Sequence, residues 1–97
     1  MTPNNLEFLS TLQDIIHSRK AEMPENSYTT KLFSRGINKI AQKVGEEAVE
    51  LIIEAKDQND ELFLNEAADL MYHLMVLLSA KSKRIEDVVK VLQERHK

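Results

Sequence analysis

The sequence contains no cysteine and no tryptophan, and only two glycines and two prolines occur among its 97 residues. The absence of cysteine excludes disulfide bonds and thiolate metal ligands. With so few glycines, the chain has no glycine-rich loop that could cradle a phosphate through backbone amides. A chain poor in glycine and proline but rich in leucine, isoleucine, glutamate and lysine favours helices over a sheet.

Long apolar runs are also missing from the sequence. The longest apolar segment, residues 70–80, contains His73 and Ser79 and is too short to cross a bilayer. Residues 1–5 lack the basic and then apolar pattern of a signal peptide. We therefore expect a cytoplasmic protein that does not use a membrane as its partner.

Neither sign of charge dominates the chain. Lysine and arginine number 13 and aspartate and glutamate 16, which gives a formal net charge of −3. This balance argues against nucleic acid or an anionic membrane as the main binding partner. The length, 97 residues, corresponds to a single small domain, residues 1–97. Because a chain this short buries a modest share of its surface, a second subunit would supplement its core.

Helical periodicity is the dominant pattern and predicts an all-α bundle of four to five helices around a central antiparallel helical hairpin. The first helix is expected to begin near residues 2–5, with Pro3 in its opening turn, and Gln13 is expected to face outward. Gly36 suits a helix end or a bend. The remaining helical segments are predicted over residues 31–35, 37–56, 60–81 and 86–96.

Two features of the predicted long helices lead to predictions about packing. The helix predicted over residues 60–81 shows almost no polar face, most clearly over residues 70–80, so this helix should be buried among others. Gly45 lies in the middle of a helix, where glycine costs roughly 1 kcal/mol relative to alanine. We therefore expect a packing or close-approach role for Gly45.

Two clusters of acidic residues stand out in the middle of the chain. Glu47 and Glu50 are three residues apart, as are Glu66 and Asp69, so each pair lies on one face of its helix. The polar run over residues 57–60 can end one helix and cap the next. If the two helices fold back as an antiparallel hairpin about this turn, Glu50 faces Glu66 and Glu47 faces Asp69.

Four carboxylates in one patch should repel one another by several kcal/mol unless a positive charge lies between them. A divalent cation is the obvious candidate, and all-oxygen ligands select hard cations such as Mg²⁺, or Mn²⁺ as an alternative. The competing interpretation is a solvated helix face on which Lys43 balances the acids. A di-iron bundle normally needs two Glu-x-x-His repeats, and the sequence has neither. His73 is therefore interpreted as a hydrogen-bonded residue rather than a metal ligand.

Magnesium held by several carboxylates commonly receives phosphate oxygens in its open positions, which favours hydrolysis of a phosphoanhydride. Without a glycine-rich loop, basic side chains must assist in binding the phosphates. Tyr28 is a candidate for stacking on a nucleobase. The basic residues that precede the acidic cluster and are predicted to bind substrate are Lys31, Arg35, Lys39 and Lys43.

The acidic motifs resemble those of known enzymes. Glu46-Glu47-x-x-Glu50 followed by Glu66-x-x-Asp69 is similar to the signature of the all-α nucleotide pyrophosphohydrolase superfamily. More narrowly, the sequences of residues 27–33, 40–50 and 66–74 resemble those of the phosphoribosyl-ATP pyrophosphohydrolases of histidine biosynthesis. The likeness covers nearly the whole chain, and its long middle motif is the specific part.

This resemblance implies an enzyme that hydrolyses the α,β-phosphoanhydride of 1-(5-phosphoribosyl)-ATP to pyrophosphate and phosphoribosyl-AMP. It also implies a Mg²⁺-dependent, cytoplasmic homodimer, with a separate phosphoribosyl-AMP cyclohydrolase for the next step. By motif position, the metal ligands would be Glu47, Glu50, Glu66 and Asp69. Glu46 would be an added ligand or the group that orients the attacking water, which makes Glu46, Glu47 and Glu50 the candidate catalytic residues.

Two alternatives to this function stay open at the level of the sequence. A house-cleaning nucleoside triphosphate pyrophosphohydrolase would share the scaffold and the metal motif. A non-enzymatic helical interaction module would carry the same acids as a solvated surface.

Overall fold

The chain is all-helical: residues 5–97, the part that the computed structural model describes, contain five α-helices and no β-strand. This confirms the predicted all-α class. The predicted helix start near residues 2–5, with Pro3 in the opening turn, lies outside the described residues apart from a 3-10 turn at Asn5–Glu7. The helices are α1 (Phe8–Glu22), α2 (Tyr28–Arg35), α3 (Ile37–Ala55), α4 (Asp60–Ala80) and α5 (Ile85–Arg95).

Short polar side chains and one glycine set the helix boundaries. The Ser27 hydroxyl accepts a hydrogen bond from the Thr30 amide at 3.2 Å and caps α2. Asn59 Oδ1 accepts one from the Leu62 amide at 3.1 Å and caps α4, as the polar run predicted. Between α2 and α3, Gly36 has φ +91°, a conformation that strains any residue with a side chain. The predicted break at Gly36 is therefore confirmed.

The antiparallel hairpin of α3 and α4 is the centre of the fold, and these two helices share the most extensive helix–helix contact. The connection between them is only four residues long, so α4 runs back along α3. The remaining helices pack around this pair, with α1 against α4, α2 against α1 and α3, and α5 against α1. Among the helices of residues 5–97, none combines the length and apolar character needed to cross a membrane.

Every helix contributes at least one side chain to a shared apolar core. Burying an aliphatic side chain of this size contributes roughly 1.5–3 kcal/mol. Because the core residues come from all five helices, removing any one helix would open this core to water. The buried apolar residues are Ile16, Leu32, Ile40, Met75, Val76 and Ile85.

Two expectations about packing are wrong. Helix α4 is not buried on all sides, because Leu62, Leu64 and Met71 are exposed. Its outer face has no neighbouring helix within residues 5–97. Gly45 has no close packing partner either, since a β-carbon added there would meet no atom of the described residues within 4 Å beyond its chain neighbours and the backbone of its own helix.

Gln13 is also placed differently from the expectation, because its side chain points inward and is fully buried. Its Nε2 donates to the Met75 carbonyl at 3.0 Å and to the Ser79 hydroxyl at 2.9 Å. Its Oε1 accepts from the Ile85 amide at 2.9 Å. The amide therefore joins α1, α4 and the first turn of α5, and these three bonds offset the desolvation of its polar atoms.

Ser79 continues this buried network toward the surface. Its hydroxyl lies 2.7 Å from Nδ1 of His17, and because it already accepts from Gln13, its proton is available to that nitrogen. Lys20 Nζ donates to the Ser79 carbonyl at 2.7 Å, which satisfies one of the last carbonyls of α4. The network thus fixes the C-terminal end of α4 against α1.

Replacing Gln13 by leucine should lower the free energy of unfolding by about 2–4 kcal/mol, because the Ile85 amide and the Ser79 hydroxyl lose buried partners. The measurement is the urea midpoint at constant m-value. Gln93→Leu, at an exposed position of α5, is the matched control and should change stability by no more than about 0.5 kcal/mol. Equal midpoints for the two variants would show that the network contributes little.

Candidate active site

The hairpin brings three acidic side chains of α3 and α4 together. Glu47, Glu66 and Asp69 each offer a carboxylate oxygen, and the three oxygens lie within 4.8 Å of one another. Glu47 is buried, with 7% of its surface exposed, whereas Glu66 is half-buried and Asp69 is exposed. The cluster therefore has a buried base and an open rim. The predicted facing of Glu47 and Asp69 across the hairpin is confirmed.

Glu50 lies one helical turn after Glu47 and contacts the cluster through Glu66. The Glu50 carboxyl is near enough to that of Glu66 to raise its pKa, which agrees with the predicted facing of Glu50 and Glu66. Glu50 does not belong to the group of three oxygens within 4.8 Å. Its role as a metal ligand stays a prediction.

Burial and the crowding of carboxylates raise the pKa of Glu66. Desolvation raises the pKa of Glu66 from 4.5 to about 7, with further contributions from the neighbouring carboxyl groups of Glu50, Glu47 and Asp69. When no cation is present, Glu66 thus holds a proton up to near-neutral pH. A pair of carboxyl groups that share one proton is the expected response to such proximity.

Two carboxylate oxygens of the cluster lack any hydrogen-bond partner within residues 5–97. They are Oε2 of Glu47 and Oε2 of Glu66, and both are buried. Buried oxygens without a donor are rare in native proteins, and a bound cation is one way to satisfy them. The donor set consists of oxygen atoms alone, which fits a hard cation such as Mg²⁺ or Mn²⁺.

Lys43 is the basic residue in contact with the acids. Its Nζ lies 3.5 Å from Oε1 of Glu46 and 3.6 Å from Oε1 of Glu47. Burial acts to lower the pKa of Lys43, but Tyr28, Glu46 and Glu47 outweigh it, and the pKa is raised. Lys43 therefore carries its charge at neutral pH and neutralises part of the cluster.

Glu46 differs from the other acids because it faces basic and amide groups. A hydrogen bond from Gln42 Nε2, at 3.1 Å, and the charges of Lys43 and Lys39 hold the pKa of Glu46 below its usual value. Among residues 5–97, Lys31, Arg35 and Lys39 form no ion pair with an acidic residue, and the predicted substrate-binding role of all three remains a prediction.

The structure adds a hydrogen-bonded pair that sequence patterns did not reveal. His73 Nδ1 lies 2.7 Å from the Asp69 carbonyl, and a carbonyl can only accept, so Nδ1 carries the proton. The other nitrogen, Nε2, then accepts from the Tyr28 hydroxyl at 2.7 Å. Both nitrogens are occupied, which agrees with the prediction that His73 is not a ligand. Tyr28 and His73 are 45 positions apart, and no local spacing connects them.

Glu66→Gln should flatten the dependence of stability on pH when metal is removed with EDTA. Because the folded pKa of Glu66, about 7, lies above its ordinary value of 4.5, the folded state binds this proton more tightly than the unfolded state. The stability it contributes is fully present below pH 4.5 and is lost as the pH rises through 7. Urea midpoints measured from pH 4 to 8 should fall more steeply for the wild type than for Glu66→Gln.

The control for this measurement is Glu94→Gln, which removes an exposed carboxyl of α5 that pairs only with Lys97 among residues 5–97. Its profile should run parallel to that of the wild type. If Glu66→Gln also ran parallel, Glu66 would have an ordinary pKa and the crowding argument would fail.

Comparison with known proteins agrees with this geometry. The family described as phosphoribosyl-ATP pyrophosphohydrolase matches residues 9–96. The histidine biosynthesis bifunctional protein HisIE of Bacteroides thetaiotaomicron is 61% identical over 89 residues, which are 92% of this chain and 44% of that protein. HisIE of Bacillus subtilis is 52% identical over 88 residues, 91% of this chain and 42% of that protein.

The chain thus spans less than half the length of these bifunctional relatives. A relative of similar length is the phosphoribosyl-ATP pyrophosphatase of Leptospira biflexa, which is 45% identical over 91 residues, 94% of this chain and 99% of that protein. With this relative and a family match over residues 9–96, the chain belongs to the phosphoribosyl-ATP pyrophosphohydrolase family.

Proposed function

We propose that this chain hydrolyses the α,β-phosphoanhydride of 1-(5-phosphoribosyl)-ATP in the cytoplasm, releasing pyrophosphate and 1-(5-phosphoribosyl)-AMP. This reaction is the second step of histidine biosynthesis, and its product passes to a phosphoribosyl-AMP cyclohydrolase. The observation that carries the proposal is the convergence of Glu47, Glu66 and Asp69, with two buried oxygens that lack hydrogen-bond partners within residues 5–97. Family membership supports the choice of substrate.

We propose Mg²⁺, with Mn²⁺ as an alternative, as the cofactor of this site. Glu47, Glu66 and Asp69 would hold it, and Glu50 would join them by turning from Glu66 toward the metal. When bound, Mg²⁺ supplies charge neutralisation for the phosphates and lowers the pKa of a coordinated water. The all-oxygen donor set and the raised pKa of Glu66 support a cation here, because a divalent charge removes both the repulsion and the need for a shared proton.

The remaining site residues act on the phosphates and on the attacking water. Lys43 carries a positive charge at the edge of the cluster and can donate to a phosphate oxygen. We assign Lys31, Arg35 and Lys39 to the same task. Glu46 has a lowered pKa and is therefore a weak proton acceptor, so orienting the water suits it better than removing a proton.

Glu47→Gln and Asp69→Asn should each lower kcat/KM for phosphoribosyl-ATP by about 100-fold or more, because each removes a carboxylate on which metal binding depends. Neither should lower the melting temperature in EDTA, because each relieves repulsion within the cluster. The measurement is pyrophosphate release from phosphoribosyl-ATP in the presence of Mg²⁺. Glu94→Gln on α5 is the control and should retain wild-type activity.

Thermal unfolding with and without Mg²⁺ gives a second measurement on the same proteins. Mg²⁺ at about 100 times its dissociation constant should stabilise the wild type by roughly 2.7 kcal/mol and the two variants by much less. Wild-type protein that releases no pyrophosphate would contradict the proposal. Faster hydrolysis of a nucleoside triphosphate than of phosphoribosyl-ATP would identify a house-cleaning enzyme instead.

We also propose that the chain acts as a homodimer, supported by an exposed apolar stripe on α3. Val49, Ile52 and Ile53 follow helical spacing and are each more than half exposed, at 56%, 57% and 56%. An apolar surface of this kind typically marks an interaction site.

Ile52→Lys should therefore convert a dimer into a monomer, because burying a lysine in an apolar interface leaves its charge without a partner. Light scattering coupled to gel filtration measures the molar mass. Gln93→Lys adds the same charge at an exposed polar position of α5 and should remain dimeric. A wild-type molar mass near 11.2 kDa at all concentrations would contradict the proposed dimer.

A further inference from the structure

We propose that the aromatic ring of Tyr28 is the surface on which the purine of the substrate stacks, and that the hydrogen bond from its hydroxyl to His73 fixes the position of this ring. The inference rests on the proposed function, because it requires a nucleotide whose phosphates lie at the acidic cluster. It assigns a substrate-binding role to Tyr28 and a positioning role to His73.

Tyr28 lies at the acidic cluster although it belongs to a different helix. It is the first residue of α2, whereas the carboxylates lie on α3 and α4. Burial raises the pKa of Tyr28, the charge of Lys43 opposes this change, and the carboxylates of Glu47 and Asp69 add to it. The Tyr28 hydroxyl is therefore within electrostatic range of a basic and two acidic residues of the site.

Only the hydroxyl of Tyr28 is hydrogen-bonded to His73, and the face of its ring remains accessible to a ligand. His73 meets Tyr28 through the hydroxyl, with the two ring centroids 5.7 Å apart and the ring planes at 80°. A partner bonded to the hydroxyl tip and nearly perpendicular to the ring does not stack on it. Half of the Tyr28 surface is exposed. A flat ligand can therefore reach the ring while the hydrogen bond stays intact.

His73, which holds the Tyr28 hydroxyl, is itself fixed by contacts in the buried part of the fold. His73 is 6% exposed, and its other nitrogen donates to the Asp69 carbonyl in α4. The residue after Tyr28, Thr29, is buried and hydrogen-bonded to the Tyr72 hydroxyl. The ring is thus held in place before a ligand binds, which reduces the entropy lost on binding.

No other aromatic side chain of residues 5–97 combines exposure with contact to the site. Phe33, Phe63 and Tyr72 are half-buried. Phe8 is exposed but lies at the start of α1, which packs mainly against α4, α2 and α5. Tyr28 is therefore the aromatic residue available to a base whose phosphates lie at Glu47 and its neighbours.

The chemistry of the proposed substrate suits this surface. The α-phosphate of a nucleotide is separated from its base by one ribose, so a base at Tyr28 can belong to the nucleotide whose phosphates reach the carboxylates. Substitution at N1 gives the adenine ring a positive charge at neutral pH, and an aromatic face attracts a cation in addition to stacking. The ring of Tyr28 should therefore favour N1-substituted adenine over adenine itself.

The test measures binding of three probes in the presence of Mg²⁺, namely AMP, 1-methyl-AMP and ribose 5-phosphate. The wild type should bind 1-methyl-AMP most tightly and ribose 5-phosphate least tightly. Tyr28→Leu should weaken binding of 1-methyl-AMP by about tenfold or more, which is typical of the loss of a stacked base contact, and leave ribose 5-phosphate unchanged. Tyr28→Phe keeps the ring but loses its bond to His73, so binding of 1-methyl-AMP should weaken by a smaller factor, up to about threefold.

Phe8→Leu removes another exposed aromatic side chain and is the matched control, with no expected change for any probe. Equal binding of 1-methyl-AMP by Tyr28→Leu and the wild type would overturn the inference. A loss in Tyr28→Phe as large as that in Tyr28→Leu would also overturn it, because the hydroxyl rather than the ring would then carry the binding.

Intrinsic fluorescence gives a measurement that does not depend on the leucine variant being folded. The chain has two tyrosines and no tryptophan, so Tyr72→Phe leaves Tyr28 as the single tyrosine emitter. 1-Methyl-AMP should quench this emission and ribose 5-phosphate should not. Unchanged emission at saturating 1-methyl-AMP would overturn the inference.

Turnover separates this inference from the proposed function. If the wild type releases pyrophosphate from phosphoribosyl-ATP while Tyr28→Leu keeps the wild-type KM, the stacking surface is wrong and the reaction stands. If the wild type releases none but shows the ring-dependent binding described above, the proposed reaction is wrong and the stacking surface stands.

Discussion

Repulsion among the carboxylates of α3 and α4 is the constraint on which the site depends. The hairpin holds the oxygens of Glu47, Glu66 and Asp69 within 4.8 Å, and Lys43 offsets only part of their charge. The apolar core formed by all five helices must outweigh this repulsion for the chain to fold. Repulsion among the carboxylates makes the free protein less stable, and a bound cation would remove this repulsion. An arrangement that is formed before the cation binds, although unfavourable, therefore suits a metal site.

Helix α4 connects the site to the rest of the molecule through successive turns. Asp69 lies in the cluster, the next turn carries His73, which bonds Tyr28, and Ser79 bonds Gln13 near the C-terminal end. The first link joins α2 to the site, and the last joins α1 and α5 to the far end of the same helix. These contacts hold α4, and with it Glu66 and Asp69, at its middle and near its C-terminal end, in addition to the hairpin turn at its N-terminal end.

The sequence was sufficient to predict the facing acidic pairs but not the polar contacts between distant segments. Spacing of three residues and a short polar turn determine which of Glu47, Glu50, Glu66 and Asp69 meet, because both are local properties. The burial of Gln13 depends on atoms 62 to 72 positions away in the chain. A hydrophobic pattern cannot predict the burial of a polar residue, because that burial depends on hydrogen-bond partners in distant segments.

The exposed face of α4 shows how the same limit applies to apolar residues. Leu64 and Met71 are seven residues apart and lie on one face, whereas Glu66 and Asp69 lie on the opposite side of the helix. An apolar pattern therefore predicts burial without stating whether the same chain or another subunit provides it. The exposed apolar face of α4 and the carboxylates therefore lie on opposite sides of one helix, so contact made at Leu64 and Met71 would leave the carboxylates open.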